Sequence, residues 1–118
     1  MSLQLKLPVP LSMNSLYRTW KGRMLLSRKG REWCKKVIPM VKEQANGMYF
    51  TGRIAVEYRY AFKTAARCDI FNYEKILSDC LTKAHIWNDD SQIDDGRVIR
   101  LPVSKHDPHC LVLVDSLR

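Results

Sequence analysis

The 118-residue sequence predicts a single α+β domain over residues 1–118: a small mixed β-sheet with two main helices packed on it. Three observations predict it. Apolar and polar residues alternate in "LQLKL" and again in "RIAVEYRYAF", the period of a strand. Segments 27–45 and 70–83 instead place apolar residues three and four apart, the period of a helix. Strands and helices interleave without a regular βαβ rhythm, and the length suits one core rather than two.

The elements follow in order. Residues 3–7 are a strand, ended by Pro8 and Pro10, which cannot donate ladder hydrogen bonds. "GRML" is a short strand. Ser27 caps a helix to about Ala45 with Trp33, Val37 and Val41 on one stripe. Pro39 is expected to kink or shorten it, and Asn46-Gly47 to stop it. "RIAVEYRYAF" puts Ile54, Val56, Tyr58, Tyr60 and Phe62 on one face. Asp69 caps a helix over 70–83 carrying Tyr73, Ile76, Leu77, Cys80 and Leu81. "IWNDDSQIDDG" reads as a polar loop, and "RVIRLPV" and "CLVLV" as closing strands joined by a turn at "SKHDPH".

Twenty Lys and Arg face 12 Asp and Glu, a formal net charge of +8. That excess favours a polyanionic partner, most often nucleic acid. No apolar run approaches the roughly 20 residues that span a bilayer, so no membrane partner is expected. The alternating N-terminus is not a signal peptide. Cys34, Cys68, Cys80 and Cys110 form no CxxC pair and read as reduced thiols of a cytoplasmic protein. "HDPHC" has the ligand types for a soft metal but no second half to complete a zinc site, and Pro108 favours a turn.

Against this basic background, seven of the 12 acids fall between residues 68 and 95: Asp69, Glu74, Asp79, Asp89, Asp90, Asp94 and Asp95. Gathered carboxylates repel and raise one another's pKa unless a hard cation relieves them. Mg²⁺ takes oxygen ligands, keeps waters and needs only one or two carboxylates beside a substrate phosphate. The plain alternative makes Asp69 a cap worth about 1 kcal/mol and the other acids a solvated loop. A helix over 70–83 spans roughly 20 Å. Asp69 and Asp90 therefore meet only if the loop folds back along it or a second subunit brings its own loop across.

The chain resembles the RusA family of Holliday-junction resolvases almost end to end. The likeness begins with Pro8, Pro10, Asn14, Tyr17 and Arg18, then Gly22, Arg23 and Ser27. Its strongest part is a block of fixed spacing: Asp69, Asn72, Lys75, Asp79, Leu81, Thr82, Lys83, Trp87, Asp89, Asp90 and Gln92. The resemblance implies a homodimer that binds branched DNA, a four-way junction, and nicks it symmetrically with Mg²⁺. It implies three catalytic aspartates and a lysine. Asp69 matches the first aspartate, Asp90 the last and Lys75 the lysine, and Asp69, Asp90 and Asp89 are the expected metal residues. The second aspartate is Phe71 here, which cannot ligate an ion. Asn72 and Glu74 are the nearby oxygen donors. The resemblance thus leaves two readings open, an active resolvase with an altered site and a junction-binding protein that cuts weakly or not at all. Residues expected to face DNA are Arg18, Arg23, Arg28, Lys63, Arg67, Lys83, Arg97 and Lys105. A basic structural protein without a nucleic-acid role is the third class.

Overall fold

Strand β1, Ser2–Leu7, alternates exposed and buried side chains as its sequence predicts. Leu3, Leu5 and Leu7 face a core, and Ser2, Gln4 and Lys6 face water. A computed structural model describes residues 1–12 and 17–117, with Tyr17, Arg18 and Met24 described by their backbone alone. Asn14 lies outside the described residues.

Strands β2, Tyr17–Trp20, and β3, Arg23–Leu26, form a hairpin turning through Lys21 and Gly22, both at positive φ. β3 is the predicted "GRML" strand; β2 has too little alternation to be read from sequence. Helix α1 follows, Arg28–Ala45, with the Ser27 hydroxyl accepting the Gly30 N–H at 3.1 Å. Such a cap is worth about 1 kcal/mol. Trp33, Val37 and Val41 are buried together. Pro39 does not shorten the helix. It sits on the exposed face, beside the exposed Lys35 whose carbonyl it cannot serve, so water can take that bond. Asn46 ends α1 in the left-handed conformation, its N–H on the Lys42 carbonyl.

Strand β4, Ile54–Ala61, buries Ile54, Val56, Tyr58 and Tyr60. The chain then passes through a 3-10 turn, Ile70–Asn72, into helix α2, Glu74–Lys83. A second 3-10 turn, Asp90–Gln92, leads directly into β5, Ile93–Arg100. β6, His109–Ser116, closes the domain. The sheet order is β1-β6-β4-β5, with β4 and β5 parallel and the other pairs antiparallel. Parallel neighbours need a crossover, and α2 supplies it.

Two sequence expectations need correction here. The helix read over 70–83 is two elements: Asp69 caps the 3-10 turn, and α2 starts only at Glu74. Phe71 lies in the 3-10 turn and Lys75 in α2, so the two are not neighbours on one α-helix. Residues 93–96, read as loop, belong to β5. As an edge strand β5 has a single neighbour and little burial, so its pattern lacks the apolar alternation that marked β4. The strand ends at Arg100, ahead of Pro102.

Both helices pack on one face of the sheet. One core unites the inward side chains of β1, β6 and β4 with Trp33, Val37 and Val41 of α1 and Ile76, Leu77 and Leu81 of α2. Each fully buried aliphatic side chain contributes about 1.5–3 kcal/mol over its exposed state. The opposite face, through Gln4, Leu113, Glu57 and Arg97, carries no helix among the described residues.

Candidate active site

The acid-rich segment is the crossover between the parallel strands, so the fold decides where each carboxylate goes. Asp69 ends the loop after β4. Its Oδ1 accepts the Phe71 N–H at 3.0 Å, and its carbonyl accepts the Asn72 N–H at 3.1 Å. The approach to Asp69 is strapped down by Arg100, whose Nη2 donates to the Cys68 carbonyl at 2.7 Å. The same guanidinium lies 5.3 Å from the Phe62 ring centre. Sequence reading gave Arg100 no role.

Asp89 and Asp90 sit on the other shoulder of the crossover. Gln92 anchors them. Its Oε1 accepts the N–H groups of Asn88 and Asp89 at 2.8 and 3.0 Å. Its Nε2 donates to the carbonyls of Phe50 and Gly52 at 3.0 and 2.9 Å. One side chain thus pins the 88–92 backbone to the segment before β4. The Ser91 hydroxyl donates to Asp89 at 2.7 Å and holds that carboxyl below the usual carboxylate range. Gln92→Ala removes all four hydrogen bonds. If Asp89 and Asp90 hold an ion, as the resemblance implies, the variant is expected to lower nicking by about 10–100-fold, the range typical when a ligand's support is lost. A nuclease titration alongside a melting curve checks this, since a folded but slow variant separates positioning from collapse.

The remaining acids divide by partner. Asp94 is paired with Arg53 at 2.5 Å, Asp95 with Arg97 at 3.2 Å, and Lys75 lies 3.9 Å from Asp79. Among the described residues, no ion pair engages Asp69, Glu74, Asp89 or Asp90. The 70–72 turn touches β5, and the 90–92 turn touches α2. A cavity beside the first of these turns is lined by Phe71, Glu74, Tyr58, Ser78, Ile93 and Gly96, among others. Phe71 is 64 % exposed at its edge.

Inside, the Tyr58 and Ser78 hydroxyls are 2.6 Å apart. Burial pushes the Tyr58 hydroxyl far above its ordinary value, and the charges of Glu74 and Asp90 act in the same direction. Glu74 Oε2 is shielded from water and has no hydrogen-bond partner. It stands on the first turn of α2, beside Lys75. Its burial against the cavity was not legible from spacing. Among the described residues, no three His, Cys, Asp or Glu side chains gather closely enough to hold a metal ion. The "HDPHC" run leaves a bend at Asp107 and enters β6 at His109, with Asp107 bound to Lys6 at 2.7 Å.

Of the residues expected to face DNA, Arg23, Lys63, Arg67, Lys83 and Lys105 are exposed. Lys63 and Arg67 lie on the loop leading to Asp69. Arg28 is paired with Glu32 and Arg97 with Asp95, both in exposed pairs that solvent screens to little net effect. Arg18 lies on β2, its side chain outside the described residues.

The model of the family described as Endodeoxyribonuclease RusA matches residues 7–114. The chain belongs to the RusA family. Curated relatives bear this out. The crossover junction endodeoxyribonuclease RusA of Escherichia coli (strain K12) is 32% identical over 99 residues, covering 84% of this chain and 82% of that protein. The enzyme of the same name from Enterobacteria phage 82 matches with the same identity and coverage. That of Escherichia coli O139:H28 is 36% identical over 102 residues. The RusA match runs from the last residue of β1 into β6 and so includes the whole crossover, from Asp69 through Gln92. Among the described residues, no helix of this RusA-family chain is long and apolar enough to cross a membrane.

Proposed function

We propose that this RusA-family protein is a Mg²⁺-dependent, structure-selective endonuclease that resolves four-way DNA junctions by paired symmetric nicks, acting as a homodimer. The observation that carries the proposal is the match over residues 7–114 to relatives named crossover junction endodeoxyribonucleases. A junction has two-fold symmetry, and two symmetric nicks ask for two sites related by a two-fold axis, the symmetry a homodimer supplies.

By chemistry the donor set suits a hard cation, although among the described residues no three of its members gather closely enough to hold one. Asp69, Asp89, Asp90 and Glu74 all offer carboxylate oxygens, and the shielded, partnerless Oε2 of Glu74 gains from a positive neighbour. Asp69 and Asp90 would hold the ion, Asp89 beside them. When bound, it would supply polarisation of the scissile phosphate and a more acidic water. Lys75 would stabilise charge on the phosphate or leaving group. The Asp69 carboxylate caps the 3-10 turn, and Gln92 ties the Asn88 and Asp89 N–H groups, just ahead of Asp90, to the segment before β4. Arg23, Lys63, Arg67, Lys83 and Lys105, with Arg18, Arg28 and Arg97, would hold the DNA backbone.

A second reading rests on Phe71. Where the resemblance has an aspartate, this chain presents an exposed aromatic ring beside the acids. It supports a protein that binds junctions and cuts them weakly or not at all. A labelled four-way junction separates the readings. The first expects paired nicks that need Mg²⁺ and spare linear duplex. The second expects salt-sensitive junction binding and no nick with Mg²⁺ or Mn²⁺. No shift of junction DNA at low salt sinks both.

A further inference from the structure

Helices α1 and α2 meet at two cysteines. Cys34 and Cys80 are both free and buried, and their Sγ atoms lie 2.9 Å apart. An S–S bond is about 2.05 Å long, so roughly 1 Å of approach separates this contact from a bridge. We propose that Cys34 and Cys80 are a dithiol modification site that closes, under a peroxide oxidant, to a reversible disulfide stapling α1 to α2.

The two sulfurs are not equivalent. Cys80 is wholly buried, whereas Cys34 keeps 5% of its surface accessible, enough to meet a small oxidant first. Cys80 donates its S–H to the Cys34 sulfur. That bond, with help from Lys83, holds the Cys34 thiol below its ordinary value, while the same bond and burial push Cys80 well up. The thiolate is the attacking form. Cys34 is therefore the sulfur that reacts first and Cys80 the one that resolves it.

The chemistry balances. The Cys34 thiolate attacks one oxygen of hydrogen peroxide; an S–O bond forms, the O–O bond breaks, and the departing hydroxide takes a proton to become water. Cys34 is then a sulfenic acid. The Cys80 sulfur attacks Cys34 Sγ; the S–S bond forms, the S–O bond breaks, and hydroxide leaves with the Cys80 proton as a second water. Two thiols lose two electrons, and one peroxide becomes two waters. A dithiol reductant reverses the bridge by exchange.

The other cysteines are internal controls. Cys110 is buried on β6, its thiol pushed up to about 12 by that burial. Cys68 lies beside Arg100, on the far side of the 3-10 turn from α2.

The test uses the full chain, treated with hydrogen peroxide and then denatured. Two of the four cysteines should resist alkylation, and the intact mass should fall by the two hydrogens lost. A non-reducing digest should yield one linked pair of peptides holding Cys34 and Cys80. The two are 46 positions apart, so the bridge restricts the unfolded chain and should raise Tm by several degrees, reversed by dithiothreitol. Cys34→Ser should abolish the mass loss and the Tm shift together. Four alkylated thiols after peroxide, a bridge involving Cys68, or Cys34 carried to sulfinic acid without a link would each overturn the proposal. The wild-type mass and digest decide it even where a variant does not fold.

Discussion

Asp90→Asn is expected to cut junction nicking at least about 100-fold while leaving the protein folded and bound to DNA. On the proposed reading Asp90 holds the ion, and its loss should cost no less than loss of a ligand's support, which runs to about 10–100-fold. The substitution is nearly isosteric and exchanges one carboxylate oxygen for an amide. Asp90 is exposed, and Gln92 anchors the neighbouring Asn88 and Asp89 N–H groups without using the Asp90 side chain, so stability should hardly move. Asp69→Asn should act alike. The asparagine oxygen can still accept the Phe71 N–H, so the turn survives and only the charge is removed. Junction affinity should hold or rise, because a negative group leaves the phosphate path. Gel-shift and nicking assays on the same samples make the comparison. Nicking at the parent rate by both variants would remove these aspartates from the chemistry.

Phe71→Asp is expected to raise nicking by about 10–100-fold at limiting Mg²⁺, again by the scale on which metal sites respond to one interaction. The ring is 64 % exposed, so replacing it forfeits little burial. The residue's N–H stays on Asp69, so the turn need not change. What changes is a carboxylate at the mouth of the cavity that already holds Glu74. Calorimetric titration with Mn²⁺ gives a readout apart from catalysis and should show tighter binding. Unchanged nicking and unchanged ion affinity would mean that this position does not limit the site. Glu74→Gln then becomes the informative variant, since its shielded oxygen lines the same cavity and has no hydrogen-bond partner.

Much of the fold was legible because local chemistry repeats at short range. The α1 stripe of Trp33, Val37 and Val41, the Ser27 cap and the Asn46 stop each depend on residues within a turn of one another. The alternation of β1 and β4 follows from one buried face per strand. Reading failed where a partner far along the chain decides. The spacing of Tyr73, Ile76 and Leu77 suits a helix, but the Asp69 side chain captured the Phe71 N–H and closed a tighter turn first. β5 hides behind two aspartates and a glycine because its hydrogen bonds come from β4, some 40 positions earlier by the Ile54–Ile93 pairing.

The candidate site divides in the same way. Which residue types are present, how they are spaced and which family they mark are properties of the linear chain, and Asp69, Lys75, Asp89, Asp90 and the departure at Phe71 could be named from it. Which acids are already engaged could not. Asp94 is taken by Arg53, Asp95 by Arg97, and Glu74 is tucked partnerless into a cavity, because Coulomb attraction and desolvation depend on distance in space. Those distances exist only once the parallel pairing of β4 and β5 has bent the crossover over the sheet.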